Sequence, residues 1–314
     1  MTVRYGILSV SSIAPRFLAA VRECPGCEAL AVSSRGIEKA REFARAWQIP
    51  RAYASHQELL ADPQVNTVYI SNVNAAHYPW AKQALLAGKH VICEKPCTTD
   101  ARHTRELFDL ARERGLFFME AQKMLFLPTI REVRRRIEAG ELGKIEMARL
   151  SHSFSADYNT WMFEKDLGGG PLLSSGIYAV ELMRWLFGPL QELKGVKSSL
   201  ETGVEYQYLL SGRTQSGVVF TAANSTRVKL ENTACLYGTL GWVEIPEYWK
   251  ARQAVLHFAD GTAQTLSYPC QHELIYEVRH IQECLEQGLL TSPVVTPQLS
   301  LDGISALEQI KAGW

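Results

Sequence analysis

His90-Val91-Ile92-Cys93-Glu94-Lys95-Pro96 decides how the first part of this chain folds. The first four residues form a short apolar run after Gly88, the mark of a buried strand. In an open parallel sheet, ligands sit just beyond the carboxyl ends of the strands. A lysine there projects its amine toward that crevice, and the proline after it stiffens the turn that aims it. X-Pro is also the peptide bond that can be cis. A solvated surface Glu-Lys pair is the alternative, and the surrounding pattern decides between the two.

Outward from that stretch, strands and helices alternate over the first ~120 residues, which predicts a parallel sheet covered on both faces. Strands are expected at 5–10, 28–33, 65–71 and 116–119, beside the lysine strand. Helices are expected at 13–22, 37–47, 79–86 and 100–115, and Ser55-His56-Gln57-Glu58 reads as a capping box opening a short one. Strands joined by right-handed crossovers in this way make a Rossmann-type doubly wound fold. The pattern then changes. A helix at 128–139, a long strand near 145–154 and a Gly168-Gly169-Gly170-Pro171 loop lead into a helix at 177–187. Segments at 193–266 recur as strands between turn signals, giving an open, mostly antiparallel sheet. Helices at 273–287 and 298–312 close an α+β domain. The expected division is 1–121 and 122–314.

Composition narrows the function. With 314 residues the chain is long enough for about two domains. Its 33 basic and 33 acidic residues balance, which offers no electrostatic case for nucleic acid or anionic membranes. No apolar stretch approaches the ~20 residues of a bilayer span, and Met1-Thr2-Val3-Arg4 leads into a strand and not a signal peptide. A cytoplasmic protein is expected. Seven scattered cysteines fit reduced thiols. Cys24-Pro25-Gly26-Cys27 has CxxC spacing but no second pair to complete a zinc site, so structural thiols are expected. Cys93 and Cys97 flank Lys95, and a nearby cation lowers the pKa of an exposed thiol. His152, His257, His272 and His280 show no metal-binding spacing, and no metal is expected.

A dinucleotide fold carries G-x-G-x-x-G/A in its first strand-to-helix turn, so that backbone approaches the pyrophosphate. Here the turn reads Ser9-Val10-Ser11-Ser12-Ile13-Ala14. Both leading glycines are serines, which either abolishes the site or replaces backbone contact with hydroxyl donors from Ser9, Ser11 and Ser12 beside a helix N-terminus. The end of the second strand reads Ser33-Ser34-Arg35. NAD-binding folds place an acid there for the ribose hydroxyls, whereas a 2′-phosphate requires arginine and no carboxylate. NADP(H) is therefore expected over NAD(H).

Together, Glu94-Lys95-Pro96, Met119-Glu120-Ala121 and Gly168-Gly169-Gly170…Gly176-Ile177-Tyr178 on this fold resemble the Gfo/Idh/MocA oxidoreductase family. Within it the chain looks like the branch containing dimeric dihydrodiol dehydrogenase and NADP-dependent D-xylose dehydrogenase. The resemblance implies that Lys95 lies near nicotinamide and substrate and that Tyr178 serves acid–base chemistry. It places Asn74 and His77 along the cofactor crevice, in the family's N-x-x-H segment, with Asn72, Ile13 and Glu94 beside it. It also implies a homodimer or higher homo-oligomer. Ser174 departs from the pattern, many members having aspartate there.

Oxidising an alcohol takes a hydride from carbon and a proton from oxygen, and tyrosine or lysine handles the proton when a neighbouring charge or desolvation adjusts its pKa. Tyr178 has a structural alternative as a core tyrosine. Phe154, Asp157, Tyr158 and Trp161, with Phe163, either line a pocket for a sugar or cyclic diol or pack a domain interface; Lys123, Gln122, Trp249 and Ser174 are further candidates. The leading expectation is an NADP(H)-dependent oxidoreductase acting on a hydroxyl or carbonyl of a small sugar, polyol or cyclic diol. The second, kept open by Ser9, Ser11 and Ser174, is a non-catalytic nucleotide-responsive regulator.

Overall fold

The computed structural model describes residues 2–314. The chain divides into two compact units, Met1–Gln122 with His272–Ser300, and Lys123–Gln271 with Leu301–Trp314. A single cut at 121/122 would assign 272–300 to the second unit; in space it joins the first.

The first unit is built on a six-stranded parallel sheet. Its strands are β1 (Val3–Leu8), β2 (Cys27–Ser33), β3 (Arg51–Tyr53), β4 (Thr67–Ile70), β5 (His90–Glu94) and β6 (Phe118–Ala121). They lie in the order β3-β2-β1-β4-β5-β6, which reverses between β1 and β4. Helices α1 (Ala14–Arg22), α2 (Ile37–Ala46), α3 (His56–Ala61), α4 (His77–Leu86) and α5 (Ala101–Arg114) connect them. Local chemistry sets the ends. Ser55 caps α3 by accepting from Glu58 N at 3.2 Å, and Glu58 reaches back to Ala54 N at 3.1 Å. Asp100 caps α5 through Arg102 N, and Gly115 ends it in the left-handed conformation. Buried Tyr5, Phe17 and Tyr69 tie α1 to the sheet, the last two rings stacked at 3.7 Å.

α8 (Ile275–Glu286) packs on α1. Gln282 Oε1 accepts from Cys24 Sγ at 2.9 Å while its Nε2 donates to Pro25 O, and Arg16 pairs with Glu273. Phe118 N donates to Leu290 O at 3.1 Å beside β6. Cys24 and Cys27 are thus packing groups, both thiols pushed up in pKa chiefly by burial.

The second unit is built on an eight-stranded sheet in the order β14-β13-β12-β11-β7-β10-β9-β8. Its strands are β7 (Ile145–Ser153), β8 (Leu190–Ser199), β9 (Glu205–Thr214), β10 (Val219–Ser225), β11 (Thr233–Gly238), β12 (Gly241–Pro246), β13 (Gln253–Phe258) and β14 (Ala263–Ser267). Only β7 and β10 run parallel; the other neighbours are antiparallel, as the turn-separated sequence pattern implies. The helices are α6 (Pro128–Glu138), α7 (Ile177–Phe187) and the part of α9 (Pro297–Ala312) from Leu301 on. Alternation sorts the sheet's faces: Phe220 and Ala222 of β10 and Leu210 of β9 are buried, while Val219, Leu209, Met147 and Val196 are exposed. None of the described helices is long and apolar enough to cross a membrane.

Candidate functional site

In the first unit the predicted cofactor residues follow the carboxyl ends of neighbouring strands. β1 stops at Leu8 and not at residue 10, because Ser9 takes φ +86°, a left-handed backbone that suits glycine. The serine thus keeps the chain path that glycine takes in a dinucleotide loop, with its N–H donating to Ser33 O at 3.1 Å. Ser11 does not aim its hydroxyl outward. It donates to Ser71 Oγ at 2.8 Å and accepts from Ala14 N, at the start of α1, at 3.3 Å. Ser12 is exposed and Ile13 half-buried at the same helix N-terminus.

After β2, Ser34 is buried and Arg35 exposed, and no carboxylate stands in Ser33-Ser34-Arg35. His56 lies beneath them, a residue that sequence reasoning treated only as part of a capping box. With Asn72 Nδ2 donating to His56 Nε2 at 3.2 Å, the ring's proton sits on Nδ1, directed at Ser33 Oγ at 2.7 Å. Burial, and then the Arg35 charge, push the imidazole down to about 4, so it is neutral near pH 7.

After β4, a 3₁₀ turn (Asn74–Ala76) buries Asn74 and leads into α4. His77 sets Nδ1 2.8 Å from Pro96 O and Nε2 3.1 Å from Asn72 O, so one buried ring links the turns after β4 and β5. Burial lowers its pKa, and a neutral ring has one N–H to share between these two carbonyls. After β5, Glu94 accepts from Tyr69 Oη and from Lys95 N, the latter at 3.2 Å. Lys95 is half-buried and its peptide to Pro96 is cis. The exposure that activation of the flanking thiols by Lys95 would need is absent: Cys93 and Cys97 are fully buried, and burial, reinforced by Glu120 and Glu94, holds the Cys93 thiol well above its ordinary value.

In the second unit, a π-helical turn (Leu172–Gly176) runs straight into α7. Such turns are rare and recur at functional sites. It carries half-buried Ser174 and places buried Tyr178 in the first turn of α7. Lys123, in a buried 3₁₀ turn (Lys123–Phe126), sets Nζ 5.4 Å from the Tyr178 ring centroid. A Cβ at Gly176 would come 2.9 Å from Leu172 Cδ1 and 3.0 Å from Tyr208 Oη, so the position is crowded.

The loop after β7 is divided. Phe154 lies 5.5 Å from the His152 ring, and His152 stacks on Trp249 at 3.8 Å. Tyr158 packs on Phe163 at 4.6 Å and hydrogen-bonds Thr226 Oγ1 at 2.9 Å. Asp157 is exposed and spent on its own turn, accepting from Asn159 N at 2.9 Å, and Trp161 is half-buried in a 3₁₀ turn. Among the described residues no cluster of three or more His, Cys, Asp or Glu groups can hold a metal.

A parallel doubly wound sheet that presents helix N-termini, small polar residues and a lysine along its carboxyl edge, joined to a large open sheet, defines an NAD(P)-dependent oxidoreductase. Residues 3–122 match the oxidoreductase family with the NAD-binding Rossmann fold, GFO_IDH_MocA, and residues 130–244 match the GFO/IDH/MocA C-terminal domain. The chain belongs to this family.

Among its relatives, the trans-1,2-dihydrobenzene-1,2-diol dehydrogenase of Mus musculus is 32% identical, covering 94% of this chain and 92% of the relative. The Homo sapiens enzyme of the same name is likewise 32% identical over the same shares. Among solved structures, KijD10, a 3-ketoreductase from Actinomadura kijaniata in complex with NADP and TDP-benzene, superposes with a TM-score of 0.92. It is 26% identical, covering 100% of this chain and 98% of that one. Levoglucosan dehydrogenase, in complex with NADH and levoglucosan, shares the fold at a TM-score of 0.90 and 20% identity.

Proposed function

We propose that the protein transfers hydride between NADP(H) and a hydroxyl or carbonyl group of a small sugar, polyol or cyclic diol. The observation that carries this reading is the row at the carboxyl edge of the first sheet, with Arg35 after β2, Ser9 after β1 and Lys95 after β5. Ligands of doubly wound sheets bind along that edge, where the strand order reverses. The bound nicotinamide supplies the hydride acceptor or donor. Lys95 and Tyr178 handle the proton of the reacting oxygen, an effect typically worth 10²–10⁴-fold. Arg35 and Ser34 take the 2′-phosphate, and Ser12, Ile13, Asn72, Asn74 and Glu94 line the rest of the cofactor path. Relatives named as diol dehydrogenases and a ketoreductase solved with NADP support both the chemistry and the cofactor.

Residues 1–121 together with 272–300 act as the cofactor unit, and the rest of 122–314 holds the substrate and forms a homodimer through the exposed sheet face. Free thiols at all seven cysteines suit a cytoplasmic setting. The test compares dissociation constants for NADPH and NADH in the wild type and in Ser34→Asp/Arg35→Ala, beside an alcohol and carbonyl panel followed at the nicotinamide absorbance. The wild type should prefer NADPH, and the double change should cost about 1.5–3 kcal/mol of that preference, roughly tenfold or more in affinity. Preference for NADH in the wild type would refute the cofactor assignment. Binding without turnover across the panel would instead favour the regulator, the reading that Ser174 keeps open.

A further inference from the structure

The covered face of the second sheet changes character in its last row. Two successive rows across β7, β10 and β9 are Ala148–Phe220–Gly212 and Leu150–Ala222–Leu210, all buried. The next is His152–Asn224–Tyr208, on the same face because side chains recur with period two. Asn224 is 2% exposed, and neither its Oδ1 nor its Nδ2 has a protein hydrogen-bond partner. A buried amide with both ends unpaired is costly, and native structures rarely keep one without a use.

This row closes a circle of contacts within the second unit. His152 stacks on Trp249, whose 3₁₀ turn (Tyr248–Lys250) packs against the Lys123–Phe126 turn. Lys123 faces the Tyr178 ring. Tyr178 stands two residues after Gly176, which abuts Tyr208 Oη, and the π-turn packs on β10 itself. Asn224 therefore belongs to the same ring of packed elements as Tyr178 and Lys123. Neighbouring strands lie ~4.8 Å apart, so the row spans about 10 Å, the breadth of a six-membered ring with its hydroxyls.

We propose that Asn224 is the residue that reads a second hydroxyl of the substrate, its amide donating to and accepting from that group, so that the site selects polyols and diols over isolated alcohols. The inference rests on the oxidoreductase reading above and adds a specificity determinant to it. A hydroxyl is both donor and acceptor, which matches an amide presenting one of each. A site built around such a group discriminates strongly, because an analogue lacking the hydroxyl leaves the amide buried and unpaired.

The test uses the full chain with saturating NADP⁺ and two probes, trans-cyclohexane-1,2-diol and cyclohexanol, in the wild type, Asn224→Leu and Asn224→Ala. Asn224→Leu, which keeps the branching of the side chain, should hold or raise the thermal midpoint and keep the NADPH dissociation constant. It should lower kcat/KM for the diol at least tenfold and leave cyclohexanol within twofold; Asn224→Ala should show the same selectivity change. A lowered midpoint in both variants with an unchanged diol-to-alcohol ratio overturns the proposal and makes the amide a structural group. If the wild type oxidises neither probe, the oxidoreductase reading suffers, and calorimetry with the diol decides this one. Binding by the wild type but not by Asn224→Leu supports it; equal binding, or none to the wild type, overturns it.

Discussion

Ser9 holds a backbone conformation that costs a non-glycine residue about 1–2 kcal/mol. Glycine loses more chain entropy on folding, which offsets part of that cost. Ser9→Gly should therefore raise unfolding stability by about 0.5–1 kcal/mol, and a β-branched Ser9→Val should lower it by more, both read from urea midpoints at constant slope. At the same scale, Lys95→Met should nearly abolish turnover while NADPH binding persists, and Tyr178→Phe should lower kcat by ~10²-fold or more. Ser174→Ala should do much less, since a hydroxyl of ordinary pKa cannot replace a carboxylate base. Wild-type turnover in Lys95→Met would make the Glu94-Lys95-Pro96 turn structural. Lys95 was legible because it follows an apolar run and precedes proline. Asn224 and His56 were not, because each becomes notable only through what surrounds it: strand register for one, the Ser33, Asn72 and Arg35 neighbourhood for the other.

Elements with strong periodicity or caps were read to within a few residues, as with α5 between Asp100 and Gly115. β3 was not located, since three half-buried residues beginning with an arginine paired to Asp62 carry no strand pattern. The π-turn was equally hidden. Leu172–Gly176 has no composition that marks one extra residue per turn; the turn packs on β10, and Leu172 Cδ1 and Tyr208 Oη crowd the space beside Gly176. Gly176→Ala should accordingly cost about 1–3 kcal/mol by overpacking. Circular dichroism melts would show the loss, and Gly176→Ala combined with Tyr208→Phe, which removes the crowded oxygen, should recover part of it. Additive losses would mean that the two residues do not press on one another.

For the molecule as a whole, acid should weaken the fold through His56. Its folded pKa, about 4, lies below the ordinary value of 6.5. Above pH 6.5 both states are neutral there and stability is flat. As pH falls from 6.5 toward 4 the unfolded chain takes a proton that the folded one refuses, so stability drops, and below 4 the loss levels off. At pH 5 the loss is on the order of 2 kcal/mol. His56→Gln should show a smaller fall between pH 7 and pH 5 in urea titrations; an identical fall would remove His56 as the cause. The exposed apolar residues of the second sheet, Met147 (55%), Val196 (67%), Leu209 (49%) and Val219 (42%), lie on one broad face. Light scattering at micromolar concentration should report a dimer, and Leu209→Glu should shift it toward monomer; a wild-type monomer would refute the assembly.

The first unit is not continuous in the chain. Its α1 is covered by α8, which the ribosome delivers only after the whole second sheet has been made. Until then the face formed by Arg16, Cys24 and Cys27 lacks Glu273 and Gln282. Nascent chains should thus remain protease-sensitive in their first 122 residues until about residue 300 has emerged, and a fragment ending at Gln122 should be recovered mainly with chaperones or in aggregates. Supplying residues 272–300 in trans, or splicing them directly after 122 through a flexible linker, should restore a cooperative melt. In this protein residues 272–300 decide when residues 1–122 are finished.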